Sequence, residues 1–145
     1  MIDWAQQRCT EVVVFVNTKQ GEAVPGHLRA QWLQELHPVA HVVQVEHNLH
    51  NDWDDQDLWA RWIELLQSKW PITSGPSSKG PEVVVSSDFY IAELARRLGA
   101  LPLICDPERA HVPISATLIR NDPATHLELL APQVRDWVER NWLNM

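Results

Sequence analysis

Residues 11–16 read Glu11-Val12-Val13-Val14-Phe15-Val16, and every position after the opening glutamate is apolar. A strand with one wet face alternates apolar and polar residues, because successive side chains point to opposite faces. An unbroken β-branched run marks instead a strand covered on both faces, as in a parallel sheet. Working outward, residues 17–26 are polar with Gly and Pro, which predicts a loop. Leu28, Trp32, Leu33 and Leu36 place an apolar stripe on a helix over 26–37, and residues 40–45 read as a second strand. Asp54 is placed to cap a helix whose wide apolar face carries Leu58, Trp59, Trp62, Ile63, Leu65 and Leu66. Residues 83–85 are a third short strand. Ser87 then caps a helix carrying Ile91, Leu94, Ala95 and Leu98, Gly99 ends it, and residues 101–105 are a fourth strand. Ile2, Ala5 and Cys9 recur at helical spacing before the first strand. Asp122 before Pro123 starts a helix, and Pro132 begins the last one, with Val134, Trp137 and Val138 on one side. Strands alternating with helices predict an α/β fold with parallel pairing and right-handed crossovers.

The chain has 145 residues, 45% apolar and 21% charged, which suits a single domain over 1–145 with a real core. Eight Trp are present, most at helical spacings, and read first as core. A formal charge of −7 with no basic stripe argues against a nucleic-acid surface. It leaves room for a nucleotide, which needs only one cationic corner. Cys9 and Cys105 fall in apolar stretches without paired spacing, as in a reduced cytosolic protein. No apolar run approaches membrane-spanning length and no signal peptide opens the chain, so a soluble cytoplasmic protein is expected.

Ligands of open parallel sheets bind beyond the carboxyl ends of the strands. The loops there carry Asn17, Arg29, His47, Asn48, Ser86, Ser87 and Asp88, and further on Ser115, Thr117 and Arg120. Residues 114–120, ISATLIR, place two hydroxyls where a helix begins, with unpaired N–H groups and the positive end of the dipole. Arg120 follows about one and a half turns on, its planar fork suited to two phosphate oxygens. Taken alone, Ser-x-Thr at a helix start is more often an ordinary N-cap. Ser87 and Asp88 at a strand-to-helix turn carry the same two readings. Asp106 and Arg109 in DPER suit a loop ion pair, and Arg29 suits a solvated helix position. His47 and His50 lie three apart in a loop without Cys, which does not make a metal site, and the other His are scattered. SGPSSKGP, residues 74–81, is a loop lacking phosphate-loop spacing. No Ser/His/Asp or Cys/His arrangement offers a covalent nucleophile.

ISATLIR resembles the ISxTxxR signature of nucleotidyltransferases. With VVVSSDFYIAELARRLGA before it, a DPER like the family's DPxR, and GHLRAQWL earlier, the chain from about Thr10 to about Arg135 resembles bacterial NMN adenylyltransferase domains of the NAD-biosynthesis regulator type. The resemblance implies a Rossmann-like parallel sheet and transfer of an adenylyl group from ATP, with Mg²⁺, to nicotinamide mononucleotide, giving NAD. It implies that Ser115, Thr117 and Arg120 hold the ATP phosphates. Ser87, Asp88, Asn17 and Arg29 would line the nucleotide cleft, and Trp59 or Trp62 would stack on nicotinamide. The family's first strand and its G-x-F-x-P-x-H-x-G-H motif are missing from the sequence, so no catalytic residue is assigned. The chain reads as truncated at its amino end relative to the family, through a gene start set downstream, fragmentation or loss of catalysis. A non-catalytic nucleotide-binding or interaction domain is the alternative. In the family's 3-2-1-4-5 sheet the missing strand would separate the 11–16 and 83–85 runs. The expectation is that these close up directly, or that a partner or a homo-oligomer repairs the gap.

Overall fold

The computed structural model describes residues 1–108 and 114–143. Two compact units divide the chain, residues 1–107 and 108–145.

The first unit contains helix α1 (Ile2–Gln6) and two strand–helix–strand crossovers. One runs β1 (Val13–Thr18), α2 (Gly26–Leu36), β2 (His41–Glu46); the other runs β3 (Val83–Ser86), α4 (Ile91–Leu98), β4 (Leu101–Ile104). Between them come α3 (Gln56–Ser68) and a 3₁₀ turn, Pro76–Lys79. β1 and β2 pair in parallel with Val13 opposite His41, and β3 and β4 pair in parallel with Val83 opposite Leu101. Parallel pairing among alternating helices and strands agrees with the α/β reading. It takes the form of two two-stranded sheets, not one continuous sheet.

Direct closure of the two halves does not occur, because β1 and β3 do not pair. A cavity of about 680 Å³ is lined by Val13 and Phe15 of β1 and by Val83 and Val85 of β3. Each pair is packed by its own crossover helix, α2 on β1 and β2, α4 on β3 and β4. The cavity leaves residues 13–15 and 83–85 only half-buried, although their apolar runs suit full burial.

Some element boundaries differ from the sequence reading for local reasons. Asp55, not Asp54, caps α3, its Oδ1 accepting the Leu58 N–H at 3.1 Å, while the Asp54 N–H is held by Asp52 Oδ1. Ser87 caps nothing. Its hydroxyl donates to the Cys105 carbonyl, Ser86 Oγ accepts the Asp88 N–H at 3.0 Å, and this turn delays α4 to Ile91. Gly99 ends α4 as expected, with φ of 70°, a left-handed conformation that a Cβ disfavours.

Val16, Val45, Trp59, Ile72, Ile91 and Ala95 form the buried core of this unit. Gly26 lets α2 begin against the end of β1, since a Cβ there would lie 2.0 Å from Thr18 Oγ1. Gln34 closes the turn into β2, its Nε2 donating to Ala40 O at 2.8 Å and His37 O at 3.2 Å.

The second unit is helical where described: α5 (Ala116–Asn121), α6 (Pro123–His126), a 3₁₀ turn (Leu127–Leu129), α7 (Pro132–Val138) and a π-helical turn (Glu139–Leu143). Asp122 caps α6 through the Thr125 N–H at 3.3 Å, with Pro123 in the first position, and Pro132 opens α7. Arg135 holds α7 to the preceding turn by donating to the Leu127 and Leu130 carbonyls. Among the described residues, no helix is long and apolar enough to cross a membrane.

Candidate functional site

The loop after β1 is shaped by Arg29. Its Nη2 donates to Glu22 Oε1 at 2.6 Å and to the Asn17 carbonyl at 3.3 Å, and the Lys19 N–H donates to the same carboxylate oxygen at 2.7 Å. The Arg29 and Glu22 side chains are 31% and 36% exposed, so the pair contributes about 0–1 kcal/mol. Its work is geometric, bringing together two residues expected in the cleft, Arg29 and Asn17. Arg29 Nε is enclosed without a hydrogen-bond partner among the described residues.

The loop after β2 places His47 against Trp62, ring centres 4.4 Å apart. His47 Nδ1 accepts the Leu49 N–H at 3.1 Å and Trp62 Nε1 donates to the His50 carbonyl at 2.9 Å. Burial, followed by the Lys19 charge, holds His47 below its ordinary value of 6.5. Of the two tryptophans expected to stack on a ligand, Trp59 is 5% exposed, donates to the Trp53 carbonyl and lies under the Arg97 guanidinium at 5.0 Å. Trp62 is half-buried beneath the histidine.

A more open aromatic surface lies beside Trp59. Trp53 stacks on Tyr90, 4.7 Å between centroids and 8° between planes, and meets the edge of Phe89 at 5.9 Å. Phe89 is 79% exposed and Trp53 36%. Sequence reasoning passed over all three because it scored aromatics by helical spacing. Their signal was different: aromatic residues in the loops that follow β2 and β3. Burial, with the Asp88 charge second, raises the Tyr90 hydroxyl above its ordinary range. Thus Ser86, Asp88 and Tyr90 form one polar corner next to the aromatic surface, while Ser87 ties the ends of β3 and β4.

Asp106 follows β4 with φ of 45°, a left-handed conformation that Asp tolerates better than most residues. Arg109, its expected ion-pair partner, lies outside the described residues. So do His111 and the rest of residues 109–113.

In the second unit Ser115 Oγ accepts the Leu118 N–H at 3.2 Å, the ordinary N-cap bond. Thr117 and Arg120 lie one turn apart and are both exposed, with Arg120 Nη2 3.5 Å from Thr117 Oγ1. The hydroxyl and guanidinium present a donor-rich face along α5, Thr117 in its first turn and Arg120 in its last, able to meet anionic oxygens. Asn17, Arg29, Ser87, Asp88, Trp59 and Trp62 belong to the first unit, and Ser115, Thr117 and Arg120 to the second.

Among the described residues, no three His, Cys, Asp or Glu side chains gather as a metal-binding group. No family model and no curated protein matches the chain.

Proposed function

We propose that the chain is a nucleotidyltransferase domain that binds ATP, the reaction being adenylyl transfer to nicotinamide mononucleotide with release of pyrophosphate. The observation that carries this reading is the exposed Thr117–Arg120 pair on α5, 3.5 Å apart behind the Ser115 cap, set in the ISATLIR sequence. In this reading Arg120 bridges phosphate oxygens and Thr117 adds a hydroxyl. Ser87 and Asp88 lie at the nucleotide cleft, with Asn17 and Arg29 shaping its rim, and Trp59 or Trp62 lies near the nicotinamide ring. In this reading the two parallel pairs are the halves of one Rossmann-like sheet, with the cavity between them.

Direct attack by an NMN phosphate oxygen on the α-phosphorus of ATP forms the new anhydride bond and breaks the bond to the β-phosphate. Such transfer requires positioning and charge neutralisation, with no protein nucleophile. Mg²⁺ would accompany ATP as part of the substrate and would supply charge neutralisation at its phosphates. That arrangement suits a chain whose candidate phosphate face carries hydroxyls and a guanidinium. A location in the cytoplasm, where ATP and NMN are available, suits the same reading.

The second reading, a non-catalytic nucleotide-binding or interaction domain, is favoured by one observation: the 145 residues contain no HxGH pair. Calorimetry and an NAD-formation assay separate the two. Arg120→Ala is expected to weaken ATP binding by about 1.5–3 kcal/mol, as for a charge-assisted contact. Equal ATP affinity in the variant and the parent would overturn the nucleotide site. Transfer by the purified chain should be slow, since each absent charge-stabilising donor costs on the order of 10²–10³ in rate. Any NAD formed above background, and lost in Arg120→Ala, supports the enzyme; ATP binding with no NAD at all supports the second reading.

A further inference from the structure

The corner at the carboxyl ends of β1 and β2 collects four ionisable side chains, Lys19, Glu22, Arg29 and His47. Glu22 is paired with Arg29 at 2.6 Å, and Lys19 and Glu22 are the two charges that act on His47. Glu46, the residue before His47, is not among them. Lys19 makes no ion pair among the described residues. Helix α2, which carries Arg29, starts here without a side-chain cap or an acid in its first turn, so its dipole adds to the positive potential. The corner therefore holds more positive charge than its one carboxylate neutralises. That carboxylate is held as a bound oxyanion is held. Its Oε1 takes a guanidinium N–H from Arg29 at 2.6 Å and the backbone N–H of Lys19 at 2.7 Å, both short and charge-assisted. The grip is incomplete, because Arg29 Nε is enclosed without a hydrogen-bond partner among the described residues. It is also easily released, since a pair as exposed as this one is weak and screened.

We propose that this corner is a seat for a dianionic phosphoryl group, and that Glu22 occupies it as an internal competitor which the ligand displaces. A phosphate carries close to two negative charges near neutral pH and offers three acceptor oxygens. One charge answers Arg29 and the other Lys19, whose flexible ammonium can turn to meet it. The oxygens can accept from the guanidinium, the Lys19 N–H and the ammonium together. A carboxylate supplies neither the second charge nor the third oxygen. Glu22 thereby sets a threshold: a monoanion gains nothing by replacing it, and a phosphoryl group does. The seat lies in the first unit, makes no use of Arg120 and does not rest on the nucleotidyltransferase reading.

The test follows the Lys19 backbone N–H and the Glu22 carboxyl-carbon resonances of the whole chain. Methyl phosphate, inorganic phosphate or acetate is added at constant ionic strength, at about pH 7.5, where the phosphates are dianions. Both phosphates should shift the Lys19 N–H saturably and move the Glu22 resonance to that of a free glutamate. Whichever binds tighter shows whether the group arrives as an ester or free. Acetate should bind about tenfold more weakly or worse. Glu22→Gln keeps the size of the side chain, removes its charge and should tighten methyl phosphate about tenfold. Arg29→Gln should abolish the Lys19 shift, and Lys19→Gln should weaken binding severalfold. A Glu22 resonance that methyl phosphate leaves unmoved in the parent would overturn the proposal, and that readout needs no variant. So would parent affinity in Glu22→Gln or in Arg29→Gln, or acetate matching methyl phosphate, since the corner would then be an ordinary surface ion pair. Arg120→Ala should leave every one of these readouts unchanged, so this seat and the ATP face on α5 fail separately.

Discussion

The two crossover halves of the first unit, β1–α2–β2 and β3–α4–β4, share a plan and differ in how they are secured. The first has six-residue strands and seals itself with local polar and steric fits: Gly26 against Thr18, and Gln34 across the turn into β2. The second has four-residue strands, and β4 leaves Leu101 69% and Ile104 56% exposed. Its security lies in α4, where Ile91 is 2% exposed and Ala95 fully buried. Arg97 adds a bond to Gln56 and lies over Trp59, tying α4 to α3. A short ladder needs a well-buried helix, whereas a longer ladder can share the burden with its turns. The functional ends differ in the same way: an ion pair shapes the loop after β1, and hydroxyl–backbone bonds fix the turn after β3.

The sharpest way to break this comparison is to hollow each core. Ile91→Ala should destabilise by about 2–5 kcal/mol. Val45→Ala, which removes fewer atoms from β2, should cost about 1–3 kcal/mol. Urea unfolding with unchanged m-values measures both. If Val45→Ala proves the more damaging, the second half does not depend on its helix as argued.

Next in size comes the steric seal of the first half. Gly26→Ala sets a Cβ against Thr18 Oγ1, and relief requires the threonine or the start of α2 to shift, at a cost of about 1–3 kcal/mol. The double variant Gly26→Ala with Thr18→Ala should recover most of that loss. No recovery would mean that glycine serves backbone freedom here and not close approach.

The halves were unequally legible in the sequence. The valine-rich runs announced parallel strands because a residue covered on both faces must be apolar whatever its neighbours, and Gly99 announced the end of α4 because only a few residues accept its φ. The split of the sheet was not visible in composition: Val13 and Val84 look the same whether or not a strand lies between them. Ser87 was misjudged as a cap because a hydroxyl near a helix start has two competing uses, and the Cys105 carbonyl, eighteen positions away, won. Trp53, Phe89 and Tyr90 form a surface only because the loop after β2 meets the turn after β3, which no periodicity in either encodes. On the candidate site, Ser115 taken alone read more readily as a cap than as a phosphate ligand, and the capping bond is present; a single hydroxyl oxygen can accept an N–H and still donate its proton elsewhere.

The smallest expected effect is a difference in the acid response of the two halves. His47, after β2, is held below 6.5 by burial and by Lys19, so the unfolded chain takes up its proton first. The stability it contributes is complete above about 6.5 and declines as pH falls through its lowered value. Glu93, on α4, accepts hydrogen bonds from Arg96 and then Arg97, which lower it from 4.5 to about 2. Its contribution is present above 4.5 and disappears as pH falls toward 2, a separate and more acidic window. The carboxylate lies at the surface, so its energy is screened and the titration itself is the better observable. Proton and carboxyl-carbon resonances should give a His47 midpoint below 6.5 and a Glu93 midpoint near 2. Arg97→Gln should bring Glu93 part of the way back, because Arg96 remains as the stronger partner. A Glu93 midpoint at 4.5 in the parent would mean that the Arg96 and Arg97 bonds do not persist in solution. With them would go one of the ties that holds Arg97 over Trp59 and secures the shorter half of the fold.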